Sequence, residues 1–197
     1  MWHERQFRRP RRMLRLALTA CPALLACLAM AAEQRAEPIG EYQVKAAFLF
    51  NFIRFAEWPA GSFRTPNEPI AVCILGSDPF GPALNNAVGL HNIGGRPLVV
   101  RHLNGVKEIG GCHALFISSS EARHAGSLIS KAGETGVLTV GDSDASGTPI
   151  PYGTVVSFVL EGDKVRFEID MDAAEREKIR ISSRLLSLAR VVKSPPK

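Results

Sequence analysis

The sequence predicts an α/β fold: a single domain with a mixed, mostly parallel sheet flanked by helices and an antiparallel hairpin at its edge. Short apolar runs suited to buried strands alternate with helical patterns from Ile70 to Val140, the arrangement that a parallel sheet with crossover helices requires. Val155–Leu160 and Val165–Ile169 then flank Glu161-Gly162-Asp163-Lys164, with alternation on Val165, Phe167 and Ile169, which reads as a hairpin. A third observation bounds the size: behind an N-terminal export signal about 165 residues remain, enough for one core of ordinary stability.

The signal comes first. Arg5, Arg8, Arg9, Arg11, Arg12 and Arg15 precede an apolar run from Leu16 that ends in Ala29-Met30-Ala31. Basic, apolar and small-residue regions in that order predict a secretory signal peptide over 1–31, cleaved after Ala31. Arg11-Arg12 before Met13-Leu14 also suits a twin-arginine signal. Leu24-Leu25-Ala26-Cys27 resembles a lipoprotein cleavage box, but apolar residues continue through Ala32, where a lipoprotein turns polar. Of the 24 basic and 19 acidic residues, six arginines and Glu4 lie within 1–31, so 18 of each remain. The basic balance belongs to the signal, and nothing points to nucleic acid or an anionic membrane as partner. A linker over 32–38, the α/β domain over 39–192 and a tail over 193–197 complete the expected organisation.

Cys21 and Cys27 leave with the signal, so Cys73 and Cys112 remain. In an oxidising compartment a disulfide is the default for such a pair, worth ~4 kcal/mol for a loop of about 40 residues in the chain-entropy account. The alternative is a reactive thiol, yet neither cysteine has a CxxC partner or a histidine at useful spacing.

Glu41–Pro59, EYQVKAAFLFNFIRFAEWP, predicts the first helix, with Pro59 as its stop. At about 100° per residue, Phe48, Phe52 and Phe55 line a core face with Val44. Gln43, Asn51, Arg54 and Glu57 form the polar stripe, but Ala47, Phe50 and Trp58 fall on that stripe as well. Rings on the wrong side of a helix fit either a second packing layer or a partner surface. Lys45 is the reverse case, a charge on the apolar face, whose stem packs while the ammonium snorkels or finds a carboxylate.

Further along, Ile70–Leu75 reads as a buried strand, and Gly76-Ser77-Asp78-Pro79 as a turn and cap launching a helix from Phe80 to Val88. Pro97–Leu103 and Ala114–Ser118 are strands, Ser120–Ala132 a helix closed by Gly133, and Val137–Val140 another strand. After the hairpin Asp172 is placed to cap a last helical region, in which Ile181, Leu185, Leu188 and Val192 share a face.

The chemical motifs are incomplete. Gly76–Gly81 lies where phosphates bind but lacks the lysine and Ser/Thr of a P-loop and the spacing of a dinucleotide fingerprint. Asp142–Gly147 imitates half of a calcium loop, yet Gly153 stands where the bidentate glutamate belongs. His91, His102, His113 and His124 never approach metal-ligand spacing, and Cys112-His113 is adjacency only. Ser118-Ser119-Ser120 reads as helix entry, and Asp170 with Asp172 as capping at a strand-to-helix junction. No catalytic residue, metal or cofactor is expected.

Four blocks in order carry a resemblance: Tyr42-x-Val44-Lys45-Ala46-Ala47-Phe48 through Glu57-Trp58-Pro59; Val72-Cys73-Ile74-Leu75-Gly76-Ser77-Asp78-Pro79-Phe80-Gly81; Cys112–Ser118; and Phe167–Asp170 running to Ile181-Ser182-Ser183-Arg184-Leu185-Leu186. Together they resemble the YfiR family of periplasmic proteins over nearly the whole mature chain. The resemblance implies a periplasmic repressor that binds the periplasmic part of an inner-membrane diguanylate cyclase, lowering cyclic di-GMP output and biofilm growth. It also implies an outer-membrane, peptidoglycan-binding lipoprotein that sequesters the repressor. Cys73 and Cys112 match a cysteine pair of the family, whereas a second pair carried by some relatives is absent. Ser146-Gly147-Thr148-Pro149-Ile150 departs from the family's glycine-rich stretch before the hairpin. Phe50 and Trp58, beside Arg54, are expected in a surface that meets another chain, a second copy or the cyclase, with Arg180 and Arg184 as the next candidates. The rival expectation is a periplasmic small-molecule sensor using the crevice at the carboxyl ends of the strands.

Overall fold

The computed structural model describes residues 40–89, 91–132, 136–143, 149 and 153–193. The signal peptide, the linker, all but Lys193 of the tail, Gly133 and residues 144–147 of the calcium-like loop lie outside these residues.

Helix α1 (Glu41–Phe55) comes first, and strand β1 (Ala56–Glu57) follows it directly. β2 (Ile70–Leu75) leads into α2 (Pro82–Val88), and β3 (Asn92–Ile93) turns back into β4 (Arg96–Leu103). A 3-10 turn over Val106–Gly111 precedes β5 (Ala114–Ile117), then α3 (Ala125–Ala132) and β6 (Leu138–Gly141). β7 (Val156–Glu161) and β8 (Lys164–Asp170) form the hairpin, followed by α4 (Met171–Arg176), β9 (Arg180–Ile181), α5 (Ser183–Leu186) and β10 (Arg190–Val192).

The main sheet has the order β10-β8-β7-β6-β5-β2-β4-β3. β4, β2, β5, β6 and β7 run parallel, with Val72 opposite both Val100 and Ala114. The β7–β8 hairpin closes through Gly162 at φ 59°, the first central position of a type II′ turn, where glycine accepts the positive φ at no steric cost. The hairpin stands one place in from the edge, because β10 pairs parallel to β8 outside it.

The central strands β2, β5 and β6 bury both faces, so the sheet has two cores of unequal size. On one face Val72, Ile74, Phe116, Leu138, Val140, Phe158 and Phe167 pack against Leu49, Phe52 and Ile53 of α1, Leu84 and Val88 of α2, and Ala173 and Ala174 of α4. On the other, Ala71, Cys73, Leu75, Leu115 and Ile117 pack, among the described residues, against Ile109, Cys112 and Val137, with Val99, Leu103, Val106 and Ile129 alongside. The Cys73–Cys112 disulfide, with Cα atoms 5.9 Å apart, lies on that thinner side. A cross-link adds most where burial adds least.

Several boundaries differ from the sequence reading, each for a tertiary reason. α1 stops at Phe55, four residues before Pro59, because Ala56 and Glu57 pair antiparallel with Ile181 and Arg180. Trp58 is therefore outside the helix and on none of its stripes. α1 buries Lys45, Ala46, Leu49, Phe52 and Ile53, and Val44 stays half-exposed. α2 starts two residues late, with Pro82 at its first turn, while Asp78 Oδ1 accepts the Phe80 N–H at 2.8 Å in the loop. Asp170, not Asp172, caps α4, its Oδ1 accepting the N–H groups of Asp172 and Ala173 at 3.0 Å. The expected helix over 181–192 is a two-residue strand, one helical turn and an edge strand instead, since backbone pairing with β1 and β8 outweighs helical spacing.

Candidate partner-binding surface

Three polar clusters stand out, the first and third at the two ends of α1, and they differ in what their charges are free to do. The first lies at the helix's N-terminal end. Lys45 is fully buried, and its Nζ reaches Glu41 at 2.5 Å, Asp142 Oδ1 at 2.6 Å and Ser143 Oγ at 3.2 Å. Three ammonium donors thus meet three acceptors. Tyr42 donates its hydroxyl to Asp142 Oδ2 at 3.0 Å. Burial, and then the Asp142 charge, push the Tyr42 hydroxyl well above its ordinary pKa, so it stays a donor. Asp142, the first residue of the calcium-like loop, directly follows β6, so this network ties α1 to the carboxyl end of the sheet across nearly 100 residues of chain. Its carboxylate is engaged from both sides by Lys45 and Tyr42.

The second cluster surrounds His113. The backbone N–H of Ala71 donates to Nδ1 at 3.0 Å, so Nε2 carries the proton and donates to the Ser62 carbonyl at 3.1 Å. Phe63 stacks on the imidazole at 4.4 Å, and Arg96 covers Phe63 at 3.8 Å while donating to the carbonyls of Thr65 and Glu68. Burial holds the His113 pKa below its ordinary value, partly opposed by the Ser62 hydrogen bond and the nearby Glu68 charge. Trp58 donates Nε1–H to the His113 carbonyl at 3.0 Å and meets the Phe63 ring edge-on. The whole assembly pins residues 58–69 to the start of β5. Sequence reading gave His113 no role, because its partners are backbone groups 42 and 51 residues away.

The third cluster is exposed. Arg54 and Arg184 place their guanidinium carbons 5.6 and 6.0 Å from the centroid of the Phe55 ring. Arg180, with an 85% exposed side chain, pairs with Glu57 at 3.5 Å across the β1–β9 ribbon. The Phe55 carbonyl accepts the Ser182 N–H at 3.0 Å, and Ser182 Oγ in turn caps α5. Of the five residues expected in a partner surface, the structure brings Arg54 and Arg184 to one ring outside that set, and sets Arg180 against Glu57 on the adjoining β1–β9 ribbon. Phe50 is half-buried one turn earlier on α1, its ring 4.7 Å from that of His91. Trp58 belongs to the His113 assembly.

The crevice where the strand order reverses lies between the carboxyl ends of β2 and β5. There Gly76, at φ 91°, faces Ser120 so closely that a Cβ would stand 2.4 Å from Oγ. Ser120 Oγ also accepts the Ser77 N–H at 2.9 Å. Among the described residues no three His, Cys, Asp or Glu side chains converge as a metal site would. No helix among them is long and apolar enough to cross a membrane.

Fold and surface together define an α/β domain, stapled on its thinner face, that presents an arginine-rich ribbon. The chain belongs to the YfiR/HmsC-like family, whose sequence profile matches residues 42–190. No curated protein matches the sequence. By fold the chain is similar to the ABC domain from Streptococcus pneumonia solved in complex with L-Trp, with a TM-score of 0.50 and 13% identity over 75% of this chain and 62% of that one. It is also similar to a ligand-free, open substrate-binding protein with adhesive properties from Clostridium difficile, with a TM-score of 0.42 and 12% identity over 66% and 55%. This chain thus spans less than two thirds of either protein, and identities this low show the fold alone.

Proposed function

We propose that this protein is a periplasmic repressor that binds the periplasmic part of an inner-membrane diguanylate cyclase and holds it inactive by contact rather than by catalysis. Family membership over residues 42–190 supports the regulatory role. The observation that carries the binding reading is the meeting of Arg54 and Arg184, 130 residues apart in sequence, at the Phe55 ring, next to the exposed β1–β9 ribbon that carries Arg180. Phe50, one turn before Arg54 on α1, adds a half-buried ring to this surface. Export through the signal over 1–31 places the chain in the compartment where such a cyclase exposes its sensor, and an outer-membrane peptidoglycan-binding lipoprotein is the partner that would relieve repression.

Deleting the gene tests this. Cellular cyclic di-GMP rises several-fold, and the rise disappears in a strain that also lacks the cyclase. Unchanged cyclic di-GMP in the single deletion contradicts the reading.

A further inference from the structure

We propose that the Arg54–Phe55–Arg184 patch is a docking site for an acidic segment of a protein partner, one whose carboxylates bridge the two guanidinium groups over the Phe55 ring. The inference rests on the proposed function only in assigning that segment to the cyclase.

The two guanidinium carbons, each within 6.0 Å of one ring centroid, stand no more than about 12 Å apart. Among the described residues neither arginine meets a carboxylate, and Glu57, the acid of this ribbon, is engaged by Arg180. Contact with an aromatic ring consumes none of a guanidinium's five N–H donors, so both forks remain to bind carboxylates two-pronged. Carboxylates one helical turn apart, or on alternate residues of an extended chain, are separated by roughly 6–7 Å and reach both arginines.

The patch is also held in place before anything binds. Arg54 lies in the last turn of α1 and Arg184 in α5, and these elements are tied by the Ser182-to-Phe55 hydrogen bond, the β1–β9 register and the Ser182 cap. A preset pair of cations loses less entropy on binding than two mobile surface side chains would.

Charge selects a protein segment over a lipid surface. With Arg180 balanced by Glu57 the patch offers two net positive charges, whereas anionic membranes recruit clusters of about four to eight. Outside residues 1–31 the chain carries equal numbers of basic and acidic residues. The apolar centre, Phe55, is half-buried beneath the cations.

The test uses the processed full chain, R54E/R184E, and R166E on the hairpin as the control. Fluorescence anisotropy follows a labelled alternating Glu-Leu peptide, which carries carboxylates at both spacings, and its Lys-Leu counterpart. The wild type and R166E bind the Glu-Leu peptide, R54E/R184E binds it at least tenfold more weakly, and the Lys-Leu peptide is not bound. In parallel, the three proteins are used to capture the cyclase from detergent-solubilised membranes and are floated with vesicles of phosphatidylcholine containing phosphatidylglycerol. Peptide binding that is absent, or equal in R54E/R184E, overturns the inference, as does cyclase capture undiminished in that variant. Flotation lost in R54E/R184E while peptide binding is not would assign the patch to lipid and overturn it too. If the wild type captures no cyclase but binds the acidic peptide through Arg54 and Arg184, the docking inference stands and the cyclase assignment falls.

Discussion

The two ends of α1 use cations in opposite ways. At the N-terminal end Lys45 is withdrawn from water and each of its three donors is met. At the C-terminal end Arg54, with Arg184 beside it, lies on an aromatic ring in solvent and keeps its donors open. A buried charge must be paired within the fold, because an uncompensated ion in the interior costs several kcal/mol. An exposed one costs little, so its position is free to be chosen for a partner. The difference teaches that the basic residues near this helix divide by burial into those that hold the fold and those that are available for recognition.

The largest effect should come from breaking the buried end. Lys45→Met leaves Asp142 without its cation and should lower stability by about 3–5 kcal/mol in urea unfolding, with much of the loss recovered when Asp142 is replaced by leucine as well. If Lys45→Met unfolds at the wild-type midpoint, the buried pair contributes nothing. Next, removing the disulfide with Cys73→Ala and Cys112→Ala together should cost up to about 4 kcal/mol, since the thinner core it staples has few other contacts to lose. An unchanged unfolding midpoint under reducing conditions would show that the staple is idle.

His113 gives a smaller, pH-dependent effect. His113→Ala orphans the Ala71 N–H and the Ser62 carbonyl and should cost about 2–3 kcal/mol, whereas His113→Asn, which keeps an acceptor, should cost less. The folded state disfavours the charged imidazole, so the unfolded chain takes up its proton at the higher pH. The His113 contribution is complete above the ordinary pKa of 6.5 and is lost as pH falls from there through the depressed folded value. Unfolding measured across pH 5 to 8 should show the wild type losing stability relative to His113→Asn in that window. Parallel curves for the two proteins would mean that His113 does not titrate with folding. The smallest stability effect belongs to the exposed end, where R54E/R184E should shift unfolding by no more than ~0.5 kcal/mol.

This contrast was half legible in the sequence. Lys45 announced itself as a charge on an apolar face, and a carboxylate partner was one of its two expected fates. Which carboxylate could not be read, because Asp142 meets it through the tertiary fold. The long strands and the hairpin carried their own periodicity and were found to within two residues. β1, β9 and β10, with two or three residues each, carry no period to detect and exist only as pairing partners. Ile181, Leu185, Leu188 and Val192 keep helical spacing, yet Leu185 alone of the four is buried, and Leu188 is 71% exposed. Arg54, Arg180 and Arg184 were each visible as candidates, but the meeting of Arg54 and Arg184 at Phe55, and of Arg180 with Glu57, depends on those short strands.

The most direct test of the central claim is cellular cyclic di-GMP in a deletion strain complemented with R54E/R184E, alongside the melting temperature of the purified variant. The account predicts that cyclic di-GMP stays at the level of the deletion strain while the melting temperature remains within about 2 °C of wild type. Cyclic di-GMP restored to the wild-type level by the folded variant would contradict it.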